Sequence, residues 1–160
     1  MIIIDTSYII SNIVETDIFH KTSVNEIQSI HTSGEIFSIN NYVLAELITL
    51  ANLKFPKHKG NIFAYVDDIL NKKVPGTLYY SLSDSDYIKT LEVAKAFEVS
   101  FADGSLIVLA LKYYNSRILT FDKAVLKAFE TIKSNPELTM YISEKKTRYQ
   151  VKAKQNQNKR

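Results

Sequence analysis

The chain has no cysteine and no tryptophan, and only three histidines, four glycines and three prolines among 160 residues. Without cysteine, disulfides, thiolate catalysis and cysteine-ligated zinc or iron–sulfur centres are all excluded. The four glycines form neither Gly-x-x-x-x-Gly-Lys nor Gly-x-Gly-x-x-Gly, so P-loop and dinucleotide sites have no support. His20, His31 and His58 are scattered, with no spacing that would make a metal or catalytic pair. No apolar run approaches the roughly 20 residues that span a bilayer. Met1-Ile2-Ile3-Ile4-Asp5 carries no basic leader. The expectation is a soluble, cytoplasmic protein with no membrane association.

What remains is an ordinary globular composition, 46% hydrophobic and 23% charged, enough for one domain with a sizeable core. No internal repeat and no Pro- or Ser-rich linker divides it. The net charge of +3 is uneven. Residues 1–143 hold thirteen basic and sixteen acidic residues, a balance of −3, whereas residues 144–160 hold Lys145, Lys146, Arg148, Lys152, Lys154, Lys159 and Arg160 against Glu144 alone, a balance of +6. That stretch includes Gln155-Asn156-Gln157-Asn158 and has no apolar periodicity. Residues 1–143 therefore read as the domain and 144–160 as a basic, disordered tail. Such a tail can reach nucleic-acid phosphates, and a solvated terminus with no partner accounts for the same charges.

Short apolar runs alternate with longer stretches of helical period, the pattern of a mostly parallel α/β sheet. Strands are expected near Ile2–Ile4, Ile36–Ile39, Leu78–Leu82 and Arg117–Thr120, and helices over about 7–14, 21–32, 41–54, 59–73, 84–97, 104–115 and 123–132. Asn40 or Asn41, Ser83 or Asp84, and Asp103 are good N-cap types before the third, fifth and sixth helices. Gly34 and Pro75-Gly76 mark turns. Asp84-Ser85-Asp86 reads as a helix start.

Four carboxylates stand alone in apolar sequence. Asp5 follows three isoleucines, Glu46 lies inside Val43-Leu44-Ala45-Glu46-Leu47-Ile48, Asp103 is isolated between Glu98 and Asp122, and Asp122 follows the strand ending at Thr120. Burying a carboxylate is costly unless it is paired or bound to a cation. In an open parallel sheet the crevice lies beyond the carboxyl ends of the strands, where these four positions can meet. Converging carboxylates repel one another, and a hard cation with oxygen ligands neutralises them. Taken singly, Asp103 and Asp122 read as helix caps and Glu46 as the flank of an amphipathic helix. Asp5 has no evident structural job.

Ile4-Asp5-Thr6-Ser7, Ala45-Glu46-Leu47, Phe101-Ala102-Asp103-Gly104-Ser105-Leu106-Ile107 and Leu119-Thr120-Phe121-Asp122-Lys123 resemble, in order and spacing, the four motifs of PIN domains, over roughly residues 1–130. The resemblance implies a three-layer α/β/α fold with a central, mostly parallel sheet of about four or five strands. It also implies a metal-dependent nuclease, most often an endoribonuclease acting on RNA, and frequently the toxin of a VapC-type pair with an antitoxin protein. By motif, Asp5, Glu46, Asp103 and Asp122 would be the metal-binding and catalytic acids for Mg²⁺ or Mn²⁺. Asp5 and Asp103 would hold the principal ion, and Thr6, Ser7 and Thr120 would be supporting hydroxyls. The family also favours a homodimer. Gly104-Ser105 replaces the alanine of many relatives, a change expected to loosen the helix start. A PIN-like module that binds RNA or protein without cutting is the alternative. In it, Ile62, Phe63, Val66, Ile69 and Leu70 are either a partner face or core.

Overall fold

Ile2, Ile3 and Ile4 form β1 (Ile2–Ile4), and all three are buried, as a strand covered on both faces requires. The computed structural model describes residues 1–143, so the expected disordered tail at 144–160 lies outside the described residues. Strands β2 (Phe37–Asn40), β3 (Thr77–Tyr80) and β4 (Arg117–Leu119) join β1 in one sheet of order β3-β2-β1-β4, and every pairing is parallel. Ile2 pairs with Phe37 on one side and Arg117 on the other. Parallel strands need crossovers, and helices supply them. These are α1 (Thr6–Ile13), α2 (His20–Ser33), α3 (Asn41–Leu53), α4 (Lys59–Leu70), α5 (Asp84–Phe97) and α6 (Phe101–Leu111), while α7 (Lys123–Lys133) and α8 (Pro136–Ser143) follow the last strand. The result is the expected α/β/α architecture, with the sheet at the lower end of the expected strand number and wholly parallel among the described residues. No helix among them is long and apolar enough to cross a membrane.

Two local expectations need correcting, and one reading left open is decided. Helix α6 begins at Phe101, because Ser100 is its N-cap and accepts from the Asp103 N–H at 3.1 Å. Asp103 is thus the third residue of a capping box, returning a bond from the Ser100 N–H at 3.2 Å, and does not cap the helix itself. Helix α8 was not anticipated. Its eight residues are too few to show a period, and it forms by docking Ile142 into the core while the buried Lys89 ammonium donates to the Ile142 carbonyl at 2.8 Å. The α4 stripe is mostly core, since Ile62, Val66 and Ile69 are buried and only Phe63 and Leu70 are exposed.

Gly104 also works against expectation: it permits a close helix contact where a loosened start was foreseen. A Cβ built there would lie 2.9 Å from the Thr90 carbonyl oxygen and 3.4 Å from the Ala94 nitrogen, both α5 backbone. In an open helix Gly→Ala gains up to about 1 kcal/mol. Here a rigid backbone stands in the way, and overpacking of that kind costs roughly 1–3 kcal/mol. The clash wins. Gly104→Ala is expected to lower the unfolding midpoint by several degrees in a thermal melt. An unchanged or raised midpoint would show that α5 and α6 can move apart freely.

Candidate functional site

The chain leaves β1 toward β2 and β3 and later returns to the opposite side of β1 as β4, so the sheet changes winding direction between β1 and β4. A crevice opens at such a switch point, beyond the carboxyl ends of the strands. Asp5 sits there. Its N–H extends the β4 ladder by donating to the Leu119 carbonyl at 3.0 Å, and its side chain, 6% exposed, caps α1 by accepting from the Thr6 N–H at 2.6 Å. The residue with no evident structural job is therefore an N-cap. Its other carboxylate oxygen accepts from the Ser7 hydroxyl at 2.6 Å and the Thr120 hydroxyl at 2.7 Å. Ser7 Oγ in turn accepts from the Phe121 N–H, and Thr120 Oγ1 from the Asp122 N–H. Asp122, exposed, caps α7 through the Ala124 and Val125 N–H groups.

The other two acids arrive on helices. Glu46, half-buried one turn into α3, accepts from the Thr6 hydroxyl at 2.7 Å and so joins the Asp5 network. Asp103 is held in the first turn of α6 by its capping box. The two helices are tied to each other by Asn40. This fully buried residue caps α3 through its Oδ1, which accepts from the Tyr42 and Val43 N–H groups, and its amide donates to Ser105 Oγ at 2.9 Å. Ser105, also fully buried, donates onward to the Ala102 carbonyl. Asn40 and Ser105 thus set the position of Glu46 relative to Asp103.

Electrostatics couple the four acids to one another. Burial pushes the Glu46 carboxyl up, against the lowering effect of its Thr6 bond, and the negative charges of Asp5 and Asp103 push the same way. Burial likewise raises Asp103, against its Ser100 bond, with Asp5 and Asp122 adding to the rise. Three of the acids lie at helix N-termini, where the N–H dipoles favour negative charge. That offsets part of the repulsion.

The sequence model described as the PIN domain matches residues 2–131. The chain belongs to the PIN domain family. Among solved structures, this PIN domain is similar to VapC20 of Mycobacterium tuberculosis, described as a sarcin-ricin loop cleaving toxin. The TM-score is 0.63 at 16% identity, covering 80% of this chain and 95% of that one. At such identity the likeness speaks for the fold. No curated protein matches by sequence.

Whether the donor set suits a divalent cation can be asked of the PIN domain directly. As the side chains stand, no three acids or histidines among the described residues are arranged to hold a metal ion. Each carboxylate is instead turned onto a hydroxyl or a helix N-terminus. The chemistry of the set nevertheless fits a hard cation: all the donors are oxygens, the acids feel one another's charge, and among the described residues no Lys or Arg is salt-bridged to any of them. Of the residues that position the acids, Ser100 is missed by the sequence reading, which takes Asp103 as the cap, although the Ser-x-x-Asp capping box spacing is a local signal for it. The Asn40–Ser105 tie, 65 residues apart, had no local signal.

Proposed function

We propose that this PIN domain is a metal-dependent endoribonuclease that hydrolyses RNA phosphodiester bonds at Asp5, Glu46, Asp103 and Asp122. The observation that carries the reading is the placement of these four acids, from four separate segments, within one electrostatically coupled cluster at the switch point of the sheet. Mg²⁺ or Mn²⁺ held by those oxygens would supply Lewis acidity, acidifying water and offsetting charge on the scissile phosphate. The chain's own contribution is orientation. Ser7 and Thr120 fix the Asp5 carboxylate, Thr6 fixes Glu46, and Asn40 with Ser105 fixes α3 against α6. These hydroxyls are positioning groups, and no side-chain nucleophile is required.

Residues 1–143 would be the nuclease domain, with the +6 segment 144–160 an arm toward RNA phosphates. Family membership supports, as part of the same proposal, a homodimer acting in the cytoplasm as the toxin of a pair, restrained by an antitoxin protein. The experiment is cleavage of a panel of structured and single-stranded RNAs with Mn²⁺ or Mg²⁺ and with EDTA. Cleavage is expected only with metal, and re-adding Mn²⁺ after EDTA should restore it. If no RNA is cut and calorimetry detects no Mn²⁺ binding, the reading fails and a non-cleaving binding module takes its place.

A further inference from the structure

Three aromatic rings from three helices meet beside the acids, and the chemistry described so far leaves them unused. Tyr42 lies four residues before Glu46 on α3, hence one turn away on the same side. Phe101 stands two residues before Asp103 in the first turn of α6, and Tyr87 comes from the first turn of α5. The Tyr42 and Phe101 ring centroids are 4.9 Å apart, Tyr42 and Tyr87 5.9 Å, and Tyr87 and Phe101 6.1 Å. Tyr87 is 38% exposed and the other two are half-buried, so the cluster presents ring surface to solvent at the rim of the site. A second aromatic group on the Asp122 side differs in kind. Phe121 is stacked on both Tyr8 and Phe19 at 4.1 Å, so its faces are already covered.

We infer that Tyr42, Tyr87 and Phe101 form a stacking platform that holds a base of single-stranded RNA next to the phosphate addressed by the four acids. The inference rests on the nuclease reading and deepens it. The acids can specify only backbone chemistry. Protein surfaces that grip single-stranded RNA do so largely by stacking its bases on aromatic rings, which a base in a duplex cannot offer. One helical turn, about 5.4 Å, separates Tyr42 from Glu46 along α3, close enough for one nucleotide to touch ring and acid together. Two of the rings carry phenols. Burial and the hydrogen bond to Tyr87 push the Tyr42 phenol up to about 12, so it stays a neutral donor that does not repel phosphate.

The test measures kcat and KM on a short single-stranded oligoribonucleotide in Mn²⁺ for wild type, Tyr87→Ala, Tyr87→Phe and Tyr114→Ala. Tyr114 is 93% exposed beyond the far end of α6 and serves as a control. Tyr87→Ala is expected to raise KM roughly 10-fold with kcat nearly unchanged. Tyr87→Phe should restore KM, and Tyr114→Ala should leave both constants as in wild type. Wild-type KM in Tyr87→Ala, with cleavage intact, overturns the platform while leaving the nuclease reading in place. If that variant instead changes the sedimentation behaviour of the protein without changing KM, the rings are a protein interface and the inference fails. If wild type itself cuts nothing, the nuclease reading falls and takes the platform with it.

Discussion

Asp103→Asn is expected to cut metal-dependent RNA cleavage by at least about 100-fold, some 2.7 kcal/mol of barrier, while leaving the fold intact. Asparagine is nearly isosteric and keeps an oxygen able to accept from the Ser100 N–H, so the capping box survives the change. What disappears is one negative charge. Burial and the neighbouring Asp5 and Asp122 already make that charge unfavourable in the folded protein, since they raise the Asp103 carboxyl above its ordinary value. Neutralising it should therefore hold or slightly raise the unfolding midpoint. Loss of activity with retained stability is the signature of a group kept for chemistry at some cost to the fold. Initial rates in Mn²⁺ alongside matched melting curves test both halves. Metal-dependent cleavage near the wild-type rate would remove Asp103 from the site.

The largest expected effect on stability lies away from the acids, at Lys112. Its ammonium stands 2.6 Å from Asp86 Oδ1 and donates to the Tyr80 hydroxyl, which donates to Asp86 Oδ2 at 2.9 Å. Asp86 is 1% exposed and also accepts from the Ser83 N–H and hydroxyl, so one carboxylate joins β3, α5 and α6. Lys112→Met keeps most of the aliphatic length but strands a buried charge. Losses of this kind run to about 3 kcal/mol, or roughly 10 °C in midpoint for a domain of this size.

The pH dependence has a definite sign. Burial alone would raise the Asp86 carboxyl, but the bonds from Lys112, Ser83 and Tyr80 together hold it below its ordinary value near 3.8. Its contribution to stability is thus present above that value and is lost as pH falls through the lower folded one. Lys112 is shifted the other way. Burial lowers it, yet Asp86 and Tyr80 raise it above 10.5, so its contribution holds at lower pH and is lost only in strong alkali. In Lys112→Met burial acts on Asp86 without its main counter-charge, and protonation then relieves the fold. The gap in midpoint between variant and wild type should narrow as pH is lowered from 7 toward 4. A gap that stays constant would show that Asp86 does not change its protonation between pH 7 and 4 in the variant, and that loss of Lys112 does not bring its titration into that range.

The sequence by itself determined where the strands lie, because Ile2-Ile3-Ile4 and Ile118-Leu119 are short apolar runs between polar stretches, and strands of a parallel sheet covered on both faces accept little else. It also determined which acids to suspect, since an unpaired carboxylate among apolar neighbours is conspicuous wherever the chain later goes. Local capping chemistry was legible too, at Asn40, Ser83 and Asp122. The tertiary structure decided what depends on long-range approach. Asp86 read as a helix-start residue and is one, but its pairing with Lys112 needed α6 to be laid on α5. Gly104 read as a weak helix start and is the place where those two helices touch. Helix α8 is too short to show periodicity and exists through its docking against the core. The Asn40–Ser105 bond that sets Glu46 against Asp103 joins residues 65 apart. Period and capping are properties of neighbours along the chain. Ion pairing, close packing and the convergence of four acids are properties of neighbours in space, and only the folded chain brings those together.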